Sequence, residues 1–448
     1  MKNKTPFTLA AVLLLALHAC TGSERALLRR PMASVDKNVS ETVFSDIQML
    51  QKQTHREKAV AVEIVFLGGV QNYSANLDGI EALALLTVLN GSSTDMLQTE
   101  IQSRLRALGA VVGYRVGLDY SAITLQTTEK NFAAAWQALM QQVLSPLFDS
   151  TEFNAIKADY VEQLKQAEAQ PHHAEVLTSL QKLLGGHPYI RVPEGTAANV
   201  AEITLDSVQA HYAQLVWKNR MRVVSAASMN PLKVQRELIG TLTMLQVDKK
   251  YAPVALPAVS NMMAAKPVFE AGEMEGGVVR GLFEAPAYGT REAVAAELAL
   301  AILTAELEED LCQKRRIACG VAGGMVPLRH SFGSFYFATE VPNPSIQALK
   351  EVVKAAIANG FTPQQVEEKR GLLLTQYYST MQTSSGQAQQ LAQAVALGDW
   401  RQQLGYAQHL KTITVAEVNV AAKKYFTAFK WAFVGNTGKV GRGAFDMK

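Results

Sequence analysis

Long apolar runs are missing from this sequence. The stretch nearest to one, Leu9 to Leu17, is too short to span a bilayer as a mature helix. Runs of one charge are missing too. Lys and Arg number 43 against 40 Asp and Glu, a net charge of +3, and basic residues cluster in scattered pairs such as Arg29-Arg30, Lys249-Lys250 and Lys423-Lys424, with no run longer than the three at 314–316. That leaves no footprint for a phosphate backbone, so DNA and RNA are not expected partners. Cysteine is scarce at 3 in 448 residues, which excludes a disulfide-built scaffold. Cys312 and Cys319 can meet only if the chain folds back between them, and unpaired core cysteines are the expectation. There is no Gly-x-Ser-x-Gly elbow, phosphate loop or dinucleotide fingerprint. What remains is 48% hydrophobic and 19% charged, the balance of a globular protein with large cores and more than one domain.

The N-terminus reads as an address. Lys2 and Lys4 form a basic head, Leu9 to Leu17 an apolar centre, and Leu17-His18-Ala19-Cys20 resembles a bacterial lipobox. Residues 1–19 are therefore expected to be a signal peptide and Cys20 the lipidated first residue of the mature chain. The polar stretch "TGSERALLRRPMASVDKNVS" after it makes 20–40 a tether, able to hold a domain roughly 50 Å from a membrane. Thr21 favours the periplasmic face of the outer membrane, by resemblance to other bacterial lipoproteins.

Beyond the tether the chain divides at "VDKKYAPVALPAVSNMMAAKP", 247–267, whose three prolines and turn-rich composition mark a linker. The flanking domains, 41–246 and 268–448, share a plan. The first ends "EITLDSVQAHYAQLVWKNRMRVVSAASMN" and the second "TITVAEVNVAAKKYFTAFKWAFVGN": an Ile-Thr helix start, an amphipathic helix, then an apolar strand. Thr204 and Thr414 suit N-caps, with Val208 and Tyr212, and Val418 and Ala422, at helical spacing behind them. Earlier in each half come an apolar strand (59–69; 276–286), long helices and a strand pair (110–128; 317–340). Strands early and helices after predict an α+β fold of two homologous sandwich domains, each a mostly antiparallel sheet with helices on one face.

A strand ending in Gly-Gly, the loop "NYSANLDGIEAL", a helix closing in Asn-Gly-Ser, "GGHPYIRVPEGT" (185–196) and "LEEDLCQKRRIACGV" (307–321) follow one another in order. Together they resemble the insulinase/pitrilysin zinc peptidases, the group of mitochondrial processing peptidase, over residues 40–436. Active members of that family carry His-x-x-Glu-His. Two imidazoles one helical turn apart reach a zinc, and the Glu takes a proton from the zinc-bound water. The resemblance places the two histidines at Ala82 and Leu86 and the base at Leu85. It places the third ligand, a Glu in the family, at Gln163 within "EFNAIKADYVEQLKQAEAQ", with Glu162 one step off register. None of the first three has a donor atom, and an amide is a poor zinc ligand. In the second half an Arg and a Tyr that hold substrate in active bacterial relatives are replaced by Cys312 and Cys319, and Arg316 stands where the family has Gly. Taken alone, a helix apolar on nearly every face reads as a core helix. The flanking frame is what turns its blandness into a lost site.

Three further segments carry chemistry-bearing residues. His172-His173 with Glu175 is the densest ligand cluster, but adjacent helical residues point about 100° apart, so a polar helix start is favoured over a metal site. His187, His211, His330 and His409 have no partners at ligand spacing. "SFGSFYFATEV" (331–341) is either a core strand or, by resemblance to the family, a sheet edge that takes up peptide, with Ser334, Phe335, Tyr336 and Phe337 as contacts. The expectation is a non-catalytic envelope lipoprotein without metal or cofactor. It would pair with an active zinc-peptidase homologue, or with itself, and contact peptide or unfolded polypeptide. A stand-alone peptide-binding or scaffolding lipoprotein, and a still active zinc peptidase, are the competing readings.

Overall fold

The strand at 59–67 runs hydrophobic on both faces, and this decides the architecture: it must be covered twice. The computed structural model describes residues 38–54, 58–243, 245 and 253–446. The expected signal peptide, Cys20 and most of the tether lie outside them, as does the first part of the expected linker.

The first half supplies β1 (Val39–Phe44), β2 (Ile47–Gln53), β3 (Ala59–Leu67), β4 (Val111–Arg115), β5 (Tyr120–Thr128) and β6 (Met221–Ala227). These form one sheet in the order β1-β2-β6-β3-β5-β4, antiparallel except for the β2–β6 pair. Its helices are α1 (Ile80–Asn90), α2 (Gln98–Ala107), α3 (Phe132–Leu144), α4 (Ser150–Glu168), α5 (His173–Leu184), α6 (Ala197–Glu202), α7 (Leu205–Leu215) and α8 (Pro231–Leu242). The second half repeats the design with β7 (Val268–Ala271), β8 (Gly277–Glu284), β9 (Ala322–Val326), β10 (Phe332–Thr339) and β11 (Lys430–Gly435). Their order is β7-β11-β8-β10-β9, antiparallel except for β7–β11. Strand for strand, this is the first sheet without β1. Its helices are α9 (Arg291–Glu308), α10 (Pro342–Asn359), α11 (Pro363–Thr380), α12 (Ser384–Leu397), α13 (Trp400–Leu404), α14 (Tyr406–Thr412) and α15 (Val415–Phe426).

Successive residues on a strand face opposite ways, and both central strands use this to hold two cores. On β3, Val60, Val62, Ile64 and Phe66 pack with Leu83, Leu85 and Trp136 beneath the helices of their own half. Val65 faces the other side, where it meets Leu391, Val395 and Trp400 from the second half. On β8, Val279 and Phe283 join Leu298, Phe335 and Phe426 of their own half, while Leu282 meets Leu183, Leu184 and Tyr189 from the first. Each sheet thus carries its own helices on one face, as expected, and one helix of the opposite half on the other. α12 lies on β3 and β6, and α5 lies on β8 and β11. Alanines at 388, 392, 394 and 396 let α12 approach the first sheet closely.

The repeated Ile-Thr starts work as caps: Thr204 Oγ1 accepts from Ser207 N at 3.2 Å and Thr414 Oγ1 from Glu417 N at 3.2 Å. Thr414 adds a full capping box, with Glu417 reaching back to the Thr414 N–H at 2.8 Å.

Candidate functional site

α1 is positioned by the residues that frame it. Gly79 has φ 93°, a left-handed conformation that glycine adopts without a Cβ penalty, and a Cβ there would lie 2.6 Å from Val200 Cγ2 and 2.8 Å from the Glu194 carbonyl oxygen. Gly195, at φ 82°, returns the contact, since its Cβ would stand 2.7 Å from the Asp78 oxygen. Arg191 ties the loop before α1 together. Its Nε donates to Asp78 Oδ1 at 2.7 Å, Nη1 to the Tyr73 carbonyl at 2.8 Å and Nη2 to the Ser74 carbonyl at 2.8 Å, with the guanidinium 4.7 Å over the Tyr73 ring. At the other end Ser92 N and Oγ donate to the two oxygens of Glu152 on α4, at 2.7 and 2.6 Å. The segments "DGIE", "PEGT" and "NGSS" thus hold α1 against its surroundings from both ends.

Within this frame Ala82 and Leu85 are fully buried in the first core and Leu86 is half-buried against it. α4 packs on α1, but Gln163 and Glu162 on it are exposed, the latter 3.7 Å from Lys165 Nζ. Three hydrocarbon side chains and one amide do not make the donor set that zinc requires, and no metal-assisted step can run through them. Among the described residues, one group of three His, Cys, Asp or Glu side chains is close enough to share an ion: Glu308, Cys312 and Cys319. Both of its sulfurs are committed to a disulfide.

The one charged side chain that α1 carries is Glu81, with 1% exposure. Its carboxylate accepts from Ser121 Oγ and lies 3.2 Å from His211 Nε2 on α7. The His211 ring meets Tyr73 edge-on with centroids 5.4 Å apart, and burial raises the Tyr73 hydroxyl above its ordinary range. Sequence spacing shows nothing of this, because Glu81 and His211 stand 130 residues apart.

In the second half, Cys312 and Cys319 form a disulfide with Cα atoms 4.6 Å apart, correcting the expectation of unpaired thiols. α9 runs on into a π-helical turn, Glu309–Lys314, after which Arg316 takes φ 57° and the Ile317 N–H bonds back to the Leu311 carbonyl at 2.9 Å. A left-handed residue at the position where the resemblance has Gly is what folds the chain back between the two sulfurs. α9 and its turn pack on elements of their own half, so the structure does not bring these cysteines to α1.

The expected edge strand is also corrected. Ser334, Phe335, Tyr336 and Phe337 lie on β10, paired with β8 on one side and β9 on the other, and Phe335 and Phe337 are fully buried. The outer strands next door are β9, and in the first half β4, which abuts α1 and leaves Val111 67% exposed. His172 and His173 are exposed, whereas Glu175 turns inward to accept from the Glu273 and Met274 N–H groups at 3.1 and 3.3 Å. That cluster is a helix start docked on the second half.

"GGHPYIRVPEGT" supplies a polar joint between the halves. Tyr189 Oη donates to the buried Asp119 carboxylate, which also accepts from the Arg329 N–H at 2.8 Å. His187, 0% exposed, accepts at Nδ1 from the Tyr189 N–H at 3.1 Å. Its proton therefore sits on Nε2, which donates to the Pro257 carbonyl at 3.0 Å. Burial lowers the His187 pKa below its ordinary value.

No protein-family model and no curated protein sequence matches this chain. Solved structures do. A protease from Helicobacter pylori superposes with a TM-score of 0.77 at 15% identity, covering 89% of this chain and 99% of its own. A peptidase M16 inactive domain from Pseudomonas fluorescens gives 0.76 at 16%, covering 89% and 98%. The periplasmic protease PqqL from Escherichia coli gives 0.77 at 13%, covering 97% of this chain and 49% of PqqL, so the chain spans about half of that protein. At these identities the likeness is one of fold: the duplicated α+β architecture is that of M16 peptidases, and one protein with this fold is an inactive domain.

Proposed function

We propose that this chain is a non-catalytic member of the insulinase/pitrilysin group, the partner of a catalytic zinc-peptidase homologue in the bacterial envelope, where it contributes chamber wall and peptide contacts. One observation carries the reading. The frame of α1 is intact, from Gly79–Gly195 to Ser92–Glu152, while Ala82 and Leu85 within it are hydrocarbon buried in the core and Leu86 is hydrocarbon half-buried against it. A scaffold kept around such a helix favours a binding role for the surfaces beside it. The outer edge of β4, next to α1, offers unpaired backbone groups of the kind that take up an extended peptide as an added strand. The Cys312–Cys319 disulfide favours an oxidising compartment, as does the likeness to a periplasmic protease. Lipidation at Cys20 would complete the envelope assignment.

The test is purification of the tagged full-length protein from its native membranes in mild detergent, with native mass, identification of companions, zinc content and cleavage of unfolded polypeptide. A one-to-one companion with an intact His-x-x-Glu-His motif is expected, and the isolated chain should hold no stoichiometric zinc and cleave nothing. A chain that emerges alone or as a homodimer overturns the subunit reading in favour of a stand-alone peptide-binding lipoprotein. Stoichiometric zinc with cleavage by the isolated chain overturns both.

A further inference from the structure

The counterpart of α1 in the second half is α9, and beside it lies a cavity of about 250 Å³. The loop Pro286–Gly289, β9, α11, α12 and α14 close it. Glu297 from the middle of α9 lines it, with Tyr288 and Tyr406 near that carboxyl and Tyr377 and Gln393 also in the wall. No Lys or Arg is among the described lining residues. Tyr406 hydrogen-bonds the Glu297 carboxyl, Tyr288 Oη donates to Gln393 Oε1 at 3.1 Å, and the Tyr377 and Tyr406 rings lie 5.3 Å apart at 37°. A half-buried carboxyl with no cation among the described residues that line its cavity is costly to ionise. Glu297 reflects this, burial pushing its pKa up to about 7.

We propose that this cavity binds a primary ammonium group on a short apolar stem, such as an alkylamine or a lysine side chain. The carboxylate supplies the countercharge, the aromatic faces supply cation–π attraction, and Gln393 a polar contact. An anion would meet a carboxylate with no compensating cation. The volume leaves room for a chain of about five heavy atoms, and Met325 and Leu373 supply apolar wall for its stem. The site lies in the second half and uses no residue of α1 or β4, so it stands whether or not the peptidase-partner reading does.

The experiment is ligand-observed NMR titration of the full-length protein at pH 8 with n-butylammonium chloride, with n-butanol as the neutral isostere, glucose as a neutral polyol and Nα-acetyl-lysine methylamide as the peptide-borne amine. Saturable one-to-one binding of butylammonium is expected, at least tenfold tighter than butanol, with Glu297→Gln losing at least tenfold. Binding needs the ionised carboxylate, so the wild-type affinity should fall about tenfold from pH 8 to pH 6. The titratable groups that the structure shows interacting with Glu297 are Tyr288 and Tyr406, whose hydroxyls burial pushes up, so they stay neutral over that range. Acetyl-lysine methylamide binding as well as butylammonium assigns the site to a peptide side chain; its failure to bind assigns it to free amines. Tyr377→Leu, which keeps the charge, should weaken butylammonium severalfold and serves if Glu297→Gln does not fold. Equal affinity for butanol, preferential uptake of glucose, no saturation by butylammonium, or no effect of either variant overturns the proposal.

Discussion

Removing the Cys312–Cys319 bond by Cys312→Ala with Cys319→Ala should destabilise the second half in a calculable way. The bond closes a loop of sequence separation 7, for which the chain-entropy relation gives about 2.5 kcal/mol at 25 °C. The folded turn does not depend on the bond alone. The Ile317 N–H to Leu311 and Arg315 N–H to Asp310 bonds, both 2.9 Å, and the Arg315–Asp310 ion pair at 2.7 Å hold the same reversal. The native contacts therefore survive, and the loss arises in the unfolded chain, which regains the freedom the cross-link removed. For a unit of this half's size that is roughly a 5–10 °C drop in Tm. The assay is thermal unfolding followed by circular dichroism on a Cys20→Ser background, with and without a dithiol reductant, and thiol titration in denaturant. No reactive thiol before reduction and two after are expected, with the reduced and double-Ala proteins melting together below the oxidised one. Two reactive thiols before reduction would refute the bond. A bond that forms but whose loss leaves Tm unchanged would refute the entropic reasoning.

Two further outcomes follow from the contacts between the halves. His187 has a folded pKa lowered by burial, with Asp119 and His330 the nearby ionisable groups. The unfolded chain therefore takes up the proton first, and stability present above about pH 6.5 should be lost as pH falls from there toward the lower folded value. Urea unfolding from pH 7.5 to 5 should show a slope that His187→Gln flattens; an unchanged slope would count against the role given to burial. A protease site inserted between Asp248 and Tyr251 should, once cut, leave two fragments that co-elute as one species, because α5 and α12 each sit on the other half's sheet. Fragments that separate under native conditions would contradict that account.

The duplicated plan was legible in the sequence because local signals report it. Ile203-Thr204 and Ile413-Thr414 mark cap and core at once, and the strand pairs at 110–128 and 317–340 appear as β4–β5 and β9–β10. The blandness of α1 was legible too, since Ile80 to Leu89 is apolar on nearly every face, Glu81 being its one charged residue, and nine of the eleven residues of α1 are buried. Long-range matters were not. Nothing near Glu81 in the chain announces Ser121 or His211, and nothing in "SSGQAQQLAQAVAL" says that its alanines seat against the other half. The Ser334–Phe337 segment shows the limit of pattern: alternating aromatic and small residues suit a central strand and an edge equally, and pairing partners decide between them. For the cysteines, the informative residue was Arg316, whose left-handed turn brings two sulfurs together that a continued helix would have kept apart.

The exchange of α5 and α12 bears on how this fold would persist without metal ligands, as proposed for this chain. In this chain the contacts that fix α1 are backbone approach at Gly79 and Gly195, the Arg191 fan and the Ser92–Glu152 pair. None of them runs through Ala82, Leu85, Leu86 or Gln163. Hydrocarbon at Ala82 and Leu85 adds to the core, because a fully buried Leu side chain contributes about 1.5–3 kcal/mol that a polar side chain in the same place would not. On the proposed reading, loss of metal chemistry at α1 is compatible with a gain in stability of the first half. The second half, held to it through two reciprocal helices, keeps its geometry and with it the Glu297 cavity. The two ends of the duplicated fold are free to diverge in chemistry because the side chains that join the halves, among them Tyr189, Asp119, Leu282 and Val65, are neither those of Ala82, Leu85 and Leu86 nor that of Glu297.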